Sequence, residues 1–213
     1  MIDNYIKVLF IALCFIIALC SYWFCHSKRD WAYLTGAMGL TLVSDYFLVL
    51  TNNHSTGVFV FCFVHILYIL RVSDNREKSA AQIATTIFIG AVVFAAFVFV
   101  PMLPFLHPII VLTLVYTALF IQDIIAHIKY YKSKKEEALP IVNRRIMLAG
   151  LILFALCDIH VLMFNLPHYL PVSPAIGMWG RMWIWVFYAP SQLLLSISAV
   201  VRPSKDNANI FEN

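Results

Sequence analysis

The sequence predicts an all-α membrane protein, a polytopic bundle of about seven transmembrane helices with its N-terminus outside and its C-terminus in the cytoplasm. Apolar residues make up 62% of the 213 residues and charged residues only 12%, whereas soluble domains are about half apolar. Because a helix needs about 20 apolar residues to cross a bilayer, this length accommodates seven spans and short loops. We expect one transmembrane domain over residues 1–202 and a polar tail over residues 203–213.

Seven continuous apolar stretches mark the predicted spans, and short loops rich in polar residues or proline separate them. The spans are Tyr5 to Cys25, Trp31 to Thr51, Thr56 to Val72, Ala80 to Val100, His107 to Tyr130, Ile141 to Leu166 and Gly177 to Val201. The first stretch lacks a small-x-small cleavage site, so we interpret it as a span and not as a secretory signal. The five cysteines show no C-x-x-C spacing, which indicates ordinary thiols.

The positions of the basic residues orient these spans. Of the 15 lysines and arginines, only Lys7 and Arg181 fall on one side of the predicted map. Cytoplasmic loops retain positive charge, so the other side is the cytoplasmic one. The net charge of +4 therefore reflects membrane topology, and no nucleic-acid partner is expected. The chain is predicted to be a multi-pass membrane protein, in the cell membrane if its source is bacterial, with membrane lipids around it.

Ionisable residues inside the spans are few, and such residues tend to mark functional sites. Asp45 and Asp158 each lie about two turns from the outer end of an outward-running helix, so they share a depth. Four other polar side chains are predicted at nearly the same level on two inward-running helices. They are His65 and Tyr68 at i and i+3, and Tyr188 and Gln192 at i and i+4. We therefore expect one polar layer in the outer half of the bundle.

Further polar residues lie in this layer, near it or outside it. Tyr116 lies at the same depth and is expected to line the pocket, and Arg181 at the outer end either snorkels or meets a phosphate group. Asp123, with His127 four residues later, is expected near the inner surface in a salt link with lysines. His160 points to a different helical face from Asp158.

Four segments resemble the YhhN-type lysoplasmalogenase family. Two of them are G-L-T-L-V-S-D-Y-F-L-V-L from Gly39 and G-V-F-V-F-C-F-V-H-I-L-Y-I from Gly57. The other two are G-L-I-L-F-A-L-C-D from Gly150 and W-V-F-Y-A-P-S-Q-L-L-L-S-I-S from Trp185. The resemblance covers about Gly36 to Val201. It departs from the family at Ser44 and Cys157, where glycine and serine are more usual, and in an expected lack of the family's first helix with its Lys-Pro element.

The resemblance implies hydrolysis of the vinyl ether bond of a lysoplasmalogen, a lysophospholipid, to a fatty aldehyde and a glycerophospho-base. This reaction suits a pair of carboxyl groups, one protonated to donate to the vinyl β-carbon and one ionised to activate water. We expect Asp45, Asp158 and His65 to be catalytic, with no metal and no cofactor. The expected substrate-binding residues are Tyr68, Tyr116, Tyr188, Gln192 and Arg181.

Three other functions stay open. A zinc-dependent intramembrane lipid hydrolase of the ceramidase type would need three histidines around one ion, and the candidates are His65, His107 and His160. A small proton-coupled transporter would also use paired intramembrane carboxyls. The third alternative is a purely structural membrane protein.

Overall fold

The computed structural model describes residues 2–25, 27–73, 92, 94–95, 98, 108–133, 139–169 and 171–200. In this part the chain forms six long helices and no strand. The helices are α1 (Ile2–Cys20), α2 (Lys28–Asp45), α3 (His54–Val72), α4 (Pro108–Lys132), α5 (Ile141–Tyr169) and α6 (Pro174–Ile197). The predicted span from Ala80 to Val100 lies outside the described residues apart from four isolated positions, and the predicted tail lies outside them entirely.

Six of the predicted spans coincide with these helices to within a few residues. A 3₁₀ turn, Ser21–Trp23, extends α1, and a π-helical turn, Tyr46–Leu50, extends α2. Helix α5 continues through Pro167 to Tyr169, three residues beyond the predicted end at Leu166. A proline removes one helical hydrogen bond, a small loss at a helix end. Its ring also packs at Gly177 of α6, where an added Cβ would lie 3.3 Å from the Pro167 Cγ.

The helices form a closed ring in which each helix contacts the next, α6 returns to α1, and α5 and α6 share the most extensive contact. Helices α3 and α4 run parallel. Phe61 contacts Tyr116, and further along both helices Tyr68 contacts His127. Parallel neighbours start at the same end of the bundle, so the chain returns from one end to the other between α3 and α4.

The distribution of polar and apolar side chains identifies an integral membrane protein. Large apolar residues such as Leu9, Leu114 and Val186 are exposed, while Asp45 and Gln192 are among the buried polar residues. Soluble proteins show the opposite preference. Five of the six long described helices, α1 to α5, are long and apolar enough to cross a membrane. Helix α6, with 24 residues, is not among them.

Side-chain hydrogen bonds to neighbouring helices hold together the end of the bundle that we call the basic end, where α3 and α4 finish. Arg71 forms a buried bidentate pair with Asp30, at 2.7 and 2.9 Å, and also donates to the Ser198 hydroxyl at 2.8 Å. Asn143 donates to the carbonyl oxygens of Ser198 and Val200. These bonds join α2, α3, α5 and the segment after α6, so the ring is closed by polar contacts as well as by packing.

The closest approach of α5 and α6 occurs at Gly180, and it provides a test of the fold. A Cβ added at this position would lie 2.6 Å from both the His160 carbonyl oxygen and the Phe164 nitrogen. Because backbone atoms within a helix cannot move aside, we expect Gly180→Ala to cost roughly 1–3 kcal/mol, as overpacking typically does. Thermal unfolding in detergent measures the loss.

Gly36→Ala is the matched control for this substitution. Its new Cβ would meet only the movable Leu67 side chain, at 3.2 Å. We expect the control to unfold close to the wild-type temperature, since alanine also favours the helix over glycine. Equal unfolding temperatures for the two variants would contradict the close α5–α6 contact.

Candidate active site

Asp45 is the last residue of α2 before the helix widens into its π-helical turn, a feature that often occurs at functional sites. Its side chain is buried, and the Tyr188 hydroxyl of α6 donates to its Oδ2 at 2.7 Å. The preceding residue, Ser44, donates from its hydroxyl to the Gly57 carbonyl oxygen at 2.7 Å. Asp45 is thus held between α3 and α6.

Asp158 occupies an equivalent position on α5. The Tyr116 hydroxyl of α4 donates to its Oδ2 at 2.5 Å, and the carboxyl group is partly buried. Each of the two aspartates predicted at the site therefore receives a hydrogen bond from a tyrosine on another helix. Sequence reasoning found all four residues at one depth but did not assign the pairs.

The two Asp–Tyr pairs border one cluster of rings, which we call the aromatic cluster and define as Phe61, Phe120 and Phe154. The Phe154 ring lies 5.7 Å from the ring of Tyr188. Phe61 and Phe120 lie 6.2 and 5.9 Å from the ring of Tyr116. Since Phe61 and Phe120 both contact Phe154, both carboxyl groups flank the same apolar region.

Cys157 precedes Asp158 on α5 and is buried. It belongs to the same apolar core as Tyr188 and the aromatic cluster. The residue next to Asp158 is therefore packed into the region that both carboxyl groups flank.

His65 packs against the aromatic cluster and belongs to a buried hydrogen-bonded group. Its Nδ1 lies 2.9 Å from Oδ2 of Asp123, and the Nδ1 of His127 lies 2.8 Å from Oδ1 of the same residue. Asp123 is 0% exposed. The expectation that Asp123 forms a surface salt link with lysines is therefore wrong.

The sequence contained part of the signal for this group. The i, i+4 spacing of Asp123 and His127 was visible, and the predicted topology made α3 and α4 parallel. The pairing requires one more fact, which is that these two parallel helices are direct neighbours in the ring. Hydropathy carries no information on which helices touch.

Tyr68 and Gln192, both predicted in the polar layer, lie about one helical turn nearer the basic end than the Asp–Tyr pairs. The Tyr68 hydroxyl points to the Met38 sulfur at 3.5 Å, and its ring meets His127 edge-on at 6.4 Å. Gln192 is fully buried, with its Nε2 at 3.5 Å from the Ser191 hydroxyl. The Gln192 Oε1 has no hydrogen-bond partner within the described residues. Both side chains thus lie beneath the Asp–Tyr pairs.

Arg181 and His160 lie outside this central region. His160 makes a hydrogen bond through Nδ1 to the Leu156 carbonyl oxygen at 2.6 Å and stacks on Phe187, which is a packing role. Arg181 is exposed at the end opposite the basic end. It lines a shallow pocket between α5 and α6 together with Phe164, Pro167, His168, Pro174, Gly177 and Met178.

The described residues contain no group of three or more His, Cys, Asp or Glu side chains placed to hold a metal ion. His107, which the zinc hypothesis includes, lies outside them. All five cysteines are free thiols. Cys14, Cys62 and Cys157 are buried, whereas Cys20 is exposed and Cys25 is intermediate.

The fold and the site together define a class, a helical integral membrane protein with paired carboxyl groups inside its bundle. Within this class the chain belongs to the YhhN family, whose model matches residues 3–199. This match confirms the resemblance and extends it, because it begins in α1 and not near Gly36. Searches of curated proteins and of solved structures found no match.

Proposed function

We propose that this protein is a lysoplasmalogenase-like hydrolase that cleaves the vinyl ether bond of lysoplasmalogens. The observation that carries the proposal is the pair of carboxyl groups, Asp45 and Asp158, each hydrogen-bonded by a tyrosine beside one aromatic cluster. Membership of the YhhN family supports a hydrolase. The membrane fold supports a lipid substrate, which can reach an intramembrane site without leaving the bilayer.

The reaction needs one acid and one base. A carboxylic acid donates its proton to the β-carbon of the vinyl ether, and the α-carbon becomes part of an oxocarbenium ion. The second, ionised carboxylate stabilises that cation and takes a proton from the attacking water. The carboxyl group that took the proton from water then donates it to the glycerol oxygen, and the other carboxylate takes the hydroxyl proton of the hemiacetal. The hemiacetal thereby collapses to the fatty aldehyde and the glycerol hydroxyl. The sum consumes one water and leaves both aspartates as they began.

The tyrosines determine which carboxyl oxygen takes part. Tyr188 and Tyr116 each donate to Oδ2 of their aspartate, and an oxygen that accepts such a bond can do so whether the carboxyl group is protonated or ionised. The transferable proton therefore belongs on Oδ1. In this way each tyrosine orients its carboxyl group and leaves one oxygen for the substrate or water.

Other side chains are assigned to substrate binding by position. Arg181 lies seven residues before Tyr188 on α6, two helical turns or roughly 10 Å away. We assign the phosphate of the lysophospholipid to the pocket that Arg181 lines, because a guanidinium group binds phosphate well. The apolar chain then passes the aromatic cluster, and Tyr68 and Gln192 delimit the deeper end of the site.

Replacement of the carboxyl groups tests the chemistry. We expect Asp45→Asn and Asp158→Asn each to lower aldehyde release from a lysoplasmalogen by about 100-fold or more, because positioned acids and bases contribute roughly that much. The measurement uses purified protein in detergent or nanodiscs. Asp3→Asn is the matched control, since Asp3 is an exposed aspartate that forms an ion pair with Lys7. Wild-type rates in both site variants would refute the assigned chemistry.

Removal of the tyrosine hydroxyls tests the geometry. Hydrogen bonds to charged groups contribute about 1.5–3 kcal/mol, so we expect Tyr116→Phe and Tyr188→Phe each to lower kcat roughly 10- to 100-fold. Both rings remain to pack on the aromatic cluster. Tyr5→Phe, at an exposed position, controls for the loss of a hydroxyl group. Unchanged kcat in both site variants would show that the Asp–Tyr pairs do not act in the reaction.

We further propose seven spans, an outer N-terminus and a cytoplasmic C-terminus. The parallel run of α3 and α4 supports an additional crossing between them, and the basic residues support the orientation. Single cysteines placed at the N-terminus and at Ser204 should react with a membrane-impermeant maleimide from opposite sides. The background carries Cys20→Ser and Cys25→Ser, because Cys14, Cys62 and Cys157 are already buried. Labelling of both sites from one side would overturn this topology.

A further inference from the structure

Asp123 is a third buried carboxyl group near the proposed site, and the hydrolytic mechanism above does not use it. Its two oxygens face different histidines. Oδ2 lies 2.9 Å from Nδ1 of His65 on α3, and Oδ1 lies 2.8 Å from Nδ1 of His127 on its own helix. All three side chains are between 0% and 3% exposed. This group is therefore shielded from solvent and held by two helices.

The position of one proton on His127 follows directly from its neighbours. Its Nδ1 faces Oδ1 of Asp123 and also lies 3.0 Å from the Asp123 backbone carbonyl oxygen. A carbonyl oxygen only accepts hydrogen bonds. The Nδ1 of His127 must therefore carry a hydrogen whatever the state of the Asp123 side chain.

The proton on His65 depends on Asp123 alone. Its Nδ1 faces Oδ2 of Asp123, and an ionised carboxylate only accepts, so the hydrogen lies on Nδ1. The ring cannot easily turn, because it stacks on Phe120 at 4.4 Å and contacts Phe154 and Tyr116. With Nδ1 protonated, the Nε2 of neutral His65 is a hydrogen-bond acceptor. It is buried and has no hydrogen-bond partner within the described residues.

We propose that Asp123 is a positioning residue that holds His65 in the Nδ1-protonated form, so that its Nε2 accepts a hydrogen bond from the water consumed in the reaction. The use of this acceptor rests on the proposed hydrolase function. Its location supports the role, because the His65 ring contacts Tyr116, the partner of Asp158, and Phe154, which contacts the partner of Asp45. His127 holds Asp123 in place from the opposite side.

Asp123→Asn separates this role from a purely structural one. Asparagine has the same shape, but one of its side-chain atoms donates. The Nδ1 of His127 keeps its hydrogen because of the backbone carbonyl oxygen, and this hydrogen would oppose an amide NH2 group at the Oδ1 position, 2.8 Å away. The amide oxygen therefore stays at that position and the amide nitrogen faces His65. The Nδ1 of His65 must then accept, and its hydrogen moves to Nε2. The substitution thus keeps the shape of the Asp123 side chain while it reverses the tautomer of His65.

Nitrogen-15 NMR of histidine-labelled protein in nanodiscs reads the tautomers directly, and single histidine substitutions assign the signals. In the wild type we expect His65 to carry its hydrogen on Nδ1, and in Asp123→Asn on Nε2. His127 and His160 serve as internal references, because both place Nδ1 against a backbone carbonyl oxygen and should not change. A wild-type His65 protonated only on Nε2, or one unaffected by the substitution, would overturn the proposal.

Kinetics then tests the use of this acceptor. We expect Asp123→Asn to lower kcat on the order of 100-fold, with KM changed by less than about threefold. His127→Phe also disrupts the group but leaves the Asp123 carboxylate facing His65, and it should keep the wild-type tautomer and lose far less activity. Equal losses of kcat in the two variants would indicate a structural role only. If the wild type releases no aldehyde, the hydrolase proposal fails while the NMR result still decides the tautomer.

Discussion

The hydrocarbon core of a bilayer offers no hydrogen-bond partners, so every polar side chain that enters it must find one inside the protein. This constraint organises the interior of the bundle. Each of the five aspartates in the described helices lies within hydrogen-bond distance of a donor. Four of these partners come from a different helix, so the same bonds that satisfy the carboxyl groups also determine which helices are joined.

The kind of donor differs between these aspartates, and the difference agrees with the roles proposed for them. Asp30 is paired with the guanidinium group of Arg71, which is always charged and fixes an ionised carboxylate. Asp45 and Asp158 receive hydrogen bonds from tyrosines, which are neutral donors and serve a carboxyl group in either protonation state. A carboxyl group that must gain and lose a proton during a reaction requires the second kind of partner. The proposed acid and base thus lie apart from the ion pair that joins the helices at the basic end.

The sequence predicted the parts of the structure that depend on one helix at a time. Hydropathy placed six of the described helices, and counting turns from their ends placed Asp45, Asp158, Tyr116 and Tyr188 at a common depth. The sequence did not predict the pairings between helices, because Asp45 could have met either tyrosine. Asp123 was misplaced for the same reason. Asp123 lies near the end of α4, which suggested a surface residue. Helix α3, which is next to α4 in the ring, buries it against His65.

Helix α6 meets two opposing requirements, because the residues of the candidate site are polar whereas a membrane span is mostly apolar. Its 24 residues exceed the length that a span requires, yet it is not among the helices apolar enough to be identified as spans by composition. Part of the deficit comes from Tyr188, Ser191, Gln192 and Ser196, and all four of these side chains are buried. Because they face the bundle, lipid never contacts them, and the helix can cross the membrane despite its composition. The polar side chains of this helix are therefore placed where the interior of the bundle has partners for them, as the hydrogen bond from Tyr188 to Asp45 shows.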